Sequence, residues 1–184
     1  LLKKILDDNA NILAIVYKTP VRFIDHVENK IKFIEIDFSK NVNFELLLKN
    51  YDIDLVIHCA YLTTIDTFDV FNELGVSVNI LNSINLIKYS AKNKILKFVY
   101  LSSAGIYSDQ SINNINYEHR KIQSESNYFF AKSIIERIIN HYNKIQKNTQ
   151  FIILRIGTIY GENESISFSR KKLSLPVGIL NKII

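Results

Sequence analysis

Tyr128 and Lys132 stand four residues apart in the stretch 126–136, SNYFFAKSIIE. On a helix this spacing puts the phenol and the ammonium on one face, one turn apart. A cation beside a tyrosine favours the phenolate and lowers its pKa towards the range of a working general acid and base. Upstream, Leu101-Ser102-Ser103-Ala104 closes a run of apolar β-formers, which sets a hydroxyl at the carboxyl end of a strand. A second pair with the same spacing, Tyr117 and Lys121, encloses the polar run Glu118-His119-Arg120 and has no apolar face, so it reads as a solvated loop. Tyr128 instead opens a segment with Ala131, Ile134, Ile135, Ile138, Ile139 and Tyr142 at helical spacing. Ser126 or Asn127 is its expected N-cap.

The elements that must carry these groups alternate. Short β-rich runs predict strands over 11–17, 31–36, 54–60, 95–101 and 150–156. Residues 54–60, DLVIHCA, are apolar at nearly every position, as a strand buried on both faces should be. Helices are expected at 1–8 (its end only), 43–50, about 68–93 and 128–147, with a polar loop over 108–126. Such alternation predicts an α/β fold with a parallel sheet covered on both faces. Ligands of such sheets sit at the carboxyl ends of the strands. Lys18, Asp37, residues 58–64, Ser102, Ser103 and residues 157–160 all fall there.

Composition narrows the class. The 184 residues are 47% hydrophobic and 22% charged, enough for one α/β domain with a full core. The net charge of +5 comes from scattered lysines without a basic stripe of interleaved aromatics, so no nucleic-acid partner is expected. No apolar run is long enough to span a bilayer and no secretory leader is seen, so no membrane partner is expected and a cytoplasmic location is. The single cysteine, Cys59, excludes an internal disulfide framework. No His/Cys cluster has metal-ligand spacing, and no metal is expected. The chain starts Leu1-Leu2-Lys3-Lys4 and contains no methionine, which suggests a fragment.

Five stretches together resemble the extended short-chain dehydrogenase/reductases, the NAD-dependent epimerase/dehydratase family. VIHCAY (56–61) is similar to the family's strand ending in H-x-A-A. NILNSINL (79–86) resembles its N-V-x-G-T-x-N-L helix. KFVYLSSAGIYS (97–108) resembles its strand and S-S-A-x-x-Y-G turn, and ILRIGTIYGEN (153–163) its L-R-x-x-N/T-x-Y-G segment. Ser103, Tyr128 and Lys132 follow the order of its catalytic set. The resemblance implies a Rossmann-type doubly wound parallel sheet that here lacks its first, central strand and the glycine-rich turn. It further implies a dinucleotide-binding domain over 1–172 and the start of a substrate-binding lobe over 173–184. In strand order 3-2-1-4-5-6 that absence would leave 11–17 unpaired on the side facing 54–59.

The roles implied follow residue by residue. Tyr128 would carry the proton, Lys132 would hold the nicotinamide ribose and lower the tyrosine's pKa, and Ser103 would hydrogen-bond the reacting oxygen. Asp37 and Phe38 match the adenine-binding pair, and Cys59, Ala60 and Tyr61 would lie beside the nicotinamide ribose. Asn79 is either a cofactor contact or a structural hydrogen bond to a neighbouring loop. Thr158 stands where many sugar-nucleotide enzymes have a substrate-binding Asn. His58 reads as a strand residue. Lys18 suits a 2′-phosphate, which tilts the cofactor, NAD or NADP, towards NADP. Ser-Ser-Ala replaces the Thr-Asp-Glu of the family's 4,6-dehydratases, which disfavours dehydration. The expectation is an NAD(P)-dependent nucleotide-sugar epimerase or reductase, homodimeric in a longer parent, with the 184 residues alone inactive. The alternatives are a reductase of another small carbonyl substrate and a non-catalytic Rossmann-like module.

Overall fold

The computed structural model describes residues 10–17, 31–62, 73–107, 127–157 and 159. It divides the chain into two compact units, residues 1–38 and 39–184. In the first unit, β1 (Ile12–Val16) and β2 (Ile31–Glu35) form a parallel pair in the register Ile12↔Ile31 to Val16↔Glu35. The Ile36 N–H extends the ladder by donating to the Val16 carbonyl at 2.8 Å. Asp37 and Phe38 follow β2, both half-buried.

The second unit holds a three-stranded parallel sheet in the order β3 (Leu55–His58), β4 (Lys97–Ser103), β5 (Gln150–Ile156). β4 runs two residues further than expected, so Ser102 and Ser103 are its last two positions and pair with Arg155 and Ile156. Its side chains alternate: Phe98, Tyr100 and Ser102 are buried on one face, while Val99, Leu101 and Ser103 are half-buried on the other. That alternation is the period of two that a strand imposes.

α1 (Phe44–Leu47) is one turn, capped by Asn43, whose Oδ1 accepts from the Leu46 N–H. The long helix is not uniform. α2 (Glu73–Gly75) passes through a π-helical segment (Val76–Leu81) into α3 (Asn82–Lys92), and Gly75 is buried at the junction. Lys94 closes α3 in the left-handed region at φ 55°, where glycine is the usual occupant. The Ile95 N–H bonds the Ser90 carbonyl and the Lys94 N–H that of Ala91, which turns the chain into β4.

α4 (Asn127–Ile145) returns over the Phe98–Tyr100–Ser102 face. Its inner face places Ala131, Ile135 and Ile139 out of solvent. Tyr142 packs on Phe151, which packs on Phe98 with ring centroids 5.3 Å apart. α3 covers the same face, joined through Thr149, whose Oγ1 donates to the Ser90 carbonyl.

Candidate active site

Lys132 is the centre of the site. It is 4% exposed, one turn along α4 from Tyr128. Its Nζ donates to the Leu101 carbonyl at 2.7 Å. Three phenol rings enclose the ammonium, with centroids at 3.9 Å (Tyr61), 5.1 Å (Tyr100) and 5.4 Å (Tyr128). Tyr61 meets Tyr128 edge-on at 5.3 Å.

The electrostatics depart from the expectation in one respect. Burial pushes the Tyr128 phenol up to about 12, rather than Lys132 drawing it down. The physical reason is desolvation: the phenolate loses water, while the ammonium is engaged by a carbonyl and by ring faces. Burial also lowers Lys132 to about 8, against the opposing pull of Glu136 and Cys59. Burial thus favours the neutral phenol at Tyr128 and weakens the hold of Lys132 on its proton.

Ser103 sits at the carboxyl end of β4, and its Oγ accepts from the Gly105 N–H, capping the 3₁₀ turn Ala104–Ile106. That turn docks on α4: a Cβ at Gly105 would fall 2.1 Å from the Phe129 ring, so any other residue there would have to displace the ring. The residue after Tyr128 therefore locks the turn that follows Ser103. Ser102 points into the buried face, and its Oγ has no hydrogen-bond partner.

The loop after β3 carries Cys59, Ala60 and Tyr61. Asn79, in the π-helical segment and fully buried, holds it by the backbone of the next residue: Oδ1 accepts from the Leu62 N–H at 2.8 Å and Nδ2 donates to the Leu62 carbonyl at 3.4 Å. Of the two uses open to Asn79, this is the structural one. Cys59 is exposed as a residue, and its thiol is raised by partial burial while the Lys132 charge pulls it down. His58 ends β3 between Phe98 and Tyr100, with Nε2 2.8 Å from the Ser83 hydroxyl. Burial and then the Lys132 charge lower it to about 4, so it is neutral. Asp37 and Phe38 belong to the first unit. Lys18, Thr158, Tyr117 and Lys121 lie outside the described residues.

Three features escape a reading of the sequence. Glu136, fully buried, completes an i, i+4, i+8 row with Tyr128 and Lys132 and receives Arg155 of β5. Arg155 also reaches the Tyr107 hydroxyl after the 3₁₀ turn. The rings of Tyr61 and Tyr100 line the lysine, and both hydroxyls are buried without a partner. Asn82 bonds the Lys40 and Ser77 carbonyls and the Val42 N–H, so the polar face of the helix secures the loop after β2. The row of spacings alone could have drawn attention to Glu136. Among the described residues no group of His, Cys, Asp and Glu could hold a metal, and no helix is long and apolar enough to cross a membrane.

The model of the NAD dependent epimerase/dehydratase family matches residues 1–178. A putative UDP-glucose 4-epimerase of Methanocaldococcus jannaschii is 24% identical over 163 residues, covering 88% of this chain and 52% of that protein. The UDP-glucose 4-epimerase of Thermus thermophilus, solved with NAD, superposes with a TM-score of 0.78 at 18% identity over 89% of this chain and 52% of its own. The Bacillus cereus UDP-glucuronic acid 4-epimerase, also solved with NAD, gives 0.70 at 23% identity over 88% and 53%. The chain spans about half the length of these proteins. At these identities the solved structures speak for the Rossmann-like fold.

Proposed function

The chain belongs to the NAD dependent epimerase/dehydratase family, and from that premise we propose that the intact protein is an NAD(P)-dependent nucleotide-sugar epimerase or reductase. The observation that carries this reading is the placement of Tyr128 and Lys132. They share a helix face over the carboxyl half of β4, the ammonium 5.4 Å from the phenol ring, with Ser103 ending that strand. Relatives named as UDP-glucose 4-epimerases support a UDP-hexose substrate.

The residues suit a hydroxyl-rich cofactor. Lys132 offers N–H donors, and the buried hydroxyl of Ser102 follows the Leu101 carbonyl that the ammonium bonds. Lys132 would hold the nicotinamide ribose, and Cys59, Ala60 and Tyr61 would flank it. Asp37 and Phe38 would meet the adenosine. A bound nicotinamide supplies the hydride acceptor and donor. NAD is the dinucleotide named with the solved neighbours, while Lys18 keeps NADP in the proposal.

Tyr128 moves the proton. As the phenol it donates to a ketone oxygen; as the phenolate it takes the proton of a sugar hydroxyl. At a pKa of about 12 the free site favours the phenol. The base role therefore needs the ammonium brought nearer the phenolic oxygen, which a repositioned Lys132 would do. Ser103 would hold the reacting oxygen by its hydroxyl hydrogen while its oxygen still caps Gly105. Ser102-Ser103-Ala104 lacks acids for water elimination, so the proposal is epimerisation or ketone reduction. The test is incubation of the intact protein with UDP-galactose and NAD, following UDP-glucose, and with a 4-keto sugar nucleotide and reduced cofactor. Turnover of either supports the reading, and turnover of neither rejects it.

A further inference from the structure

Described residues close round the Lys132 ammonium. One side of the ammonium is closed by the Leu101 carbonyl at 2.7 Å and another by the Tyr61 ring at 3.9 Å. An N–H···O bond needs about 2.9 Å from nitrogen to oxygen, and a ring at that height leaves no space for an intervening atom. Tyr100 and Tyr128 stand round the rest, and the lysine is 4% exposed. For a hydroxyl to bind Nζ where it stands, one of these groups must leave.

The three rings differ in what holds them. Tyr100 lies mid-strand with ladders on both sides, paired with His58 and Ile153, and is 1% exposed. Tyr128 is fixed by α4 and by the Phe129 contact with Gly105. Tyr61 is on the loop after β3 and is in no ladder. Asn79 fixes the backbone of Leu62 immediately after it, so the ring can turn about its side-chain torsions without carrying the loop away.

We infer that Tyr61 is a specificity-determining residue: its ring covers one side of Lys132 and must swing off before a hydroxylated ligand binds there. The inference rests on the reading of Lys132 as the ribose-binding residue. Tyr61 weakens only those ligands that reach the lysine. The cation–π contact, desolvated here, is what such a ligand has to replace. A dinucleotide is therefore held back, and a ligand that ends at the pyrophosphate is not.

The test is titration of the intact protein with NAD+ and, separately, with ADP, which lacks the second ribose. Tyr61→Ala is expected to tighten NAD+ by about tenfold and to leave ADP unchanged. Tyr61→Leu, which keeps an apolar filling but has no ring face, is expected to act in the same direction should the alanine variant fold poorly. Tyr61→Phe keeps the ring over Lys132 and should not tighten NAD+. In the absence of ligand, mass spectrometry after treatment with an amine-acylating reagent should show Lys132 modified faster in the alanine and leucine variants. If NAD+ tightens in neither of these two, the inference is overturned. Lys132→Ala separates the two levels. If it weakens NAD+ while Tyr61→Ala and Tyr61→Leu change nothing, only the role of Tyr61 falls. If it leaves NAD+ affinity unchanged, the reading of Lys132 falls, and the inference with it.

Discussion

Glu136 and Arg155 join α4 to β5 by a forked ion pair whose carboxylate is wholly buried. Arg155 Nη2 lies 2.7 Å from Oε2 and Nε 3.1 Å from Oε1. The bond to Glu136 is the largest cause of the raised guanidinium pKa. The pair fixes the helix that carries Tyr128 and Lys132 one turn above the sheet. Glu136→Gln removes the charge but keeps the shape, so the guanidinium loses its buried carboxylate. It should lower unfolding free energy by about 3 kcal/mol, read from urea titrations. Tyr107→Phe removes one neutral partner of the same guanidinium and should cost about 1 kcal/mol. Equal, small losses would mean that the pair does not hold the helix.

Stability should fall in acid through His58. The unfolded imidazole protonates near its ordinary 6.5, while the folded one resists down to about 4, because burial and the Lys132 charge oppose a second cation. The unfolded state therefore binds more protons between these values. The His58 contribution is present above pH 6.5 and lost as the pH falls towards 4. At about pH 5 the loss should be on the order of 2 kcal/mol. Urea unfolding across this range should show the slope, and His58→Gln should flatten it. A slope unchanged in that variant would remove His58 as its source.

Much of this site is legible along the chain, because it rests on local rules. The four-residue step from Tyr128 to Lys132 needs only a helix, and the apolar run before Ser103 needs only a strand. What is not legible depends on packing between distant segments. The ring of Tyr61 meets Lys132 across 71 positions of sequence, and Arg155 meets Glu136 across 19. The direction of the Tyr128 shift follows from burial, which adjacency of the two residues on a helix does not reveal. The π-helical segment likewise has no compositional sign. It is formed where Ser77, Asn79 and Asn82 bond loops on other elements.

Gly105 and Phe129 should prove coupled. A methyl at Gly105 would lie 2.1 to 2.8 Å from three atoms of the Phe129 ring. Gly105→Ala should destabilise by about 1–3 kcal/mol, because the Phe129 ring must shift from where it packs. In Phe129→Ala the three atoms nearest that methyl are gone, so its cost should fall in a double-mutant cycle. Additive losses would show that the ring does not set the requirement for glycine.

That Tyr128 carries the proton is tested most directly by the turnover of Tyr128→Phe in the intact protein, with Tyr117→Phe measured beside it. Both variants should fold and bind the dinucleotide as the parent does, since neither loses a ring. Tyr128→Phe should then slow the sugar-nucleotide reaction by about a thousandfold, the size of a lost proton transfer, while Tyr117→Phe stays near parental turnover. Equal losses in the two variants, or a loss in Tyr117→Phe alone, would contradict the assignment of Tyr128.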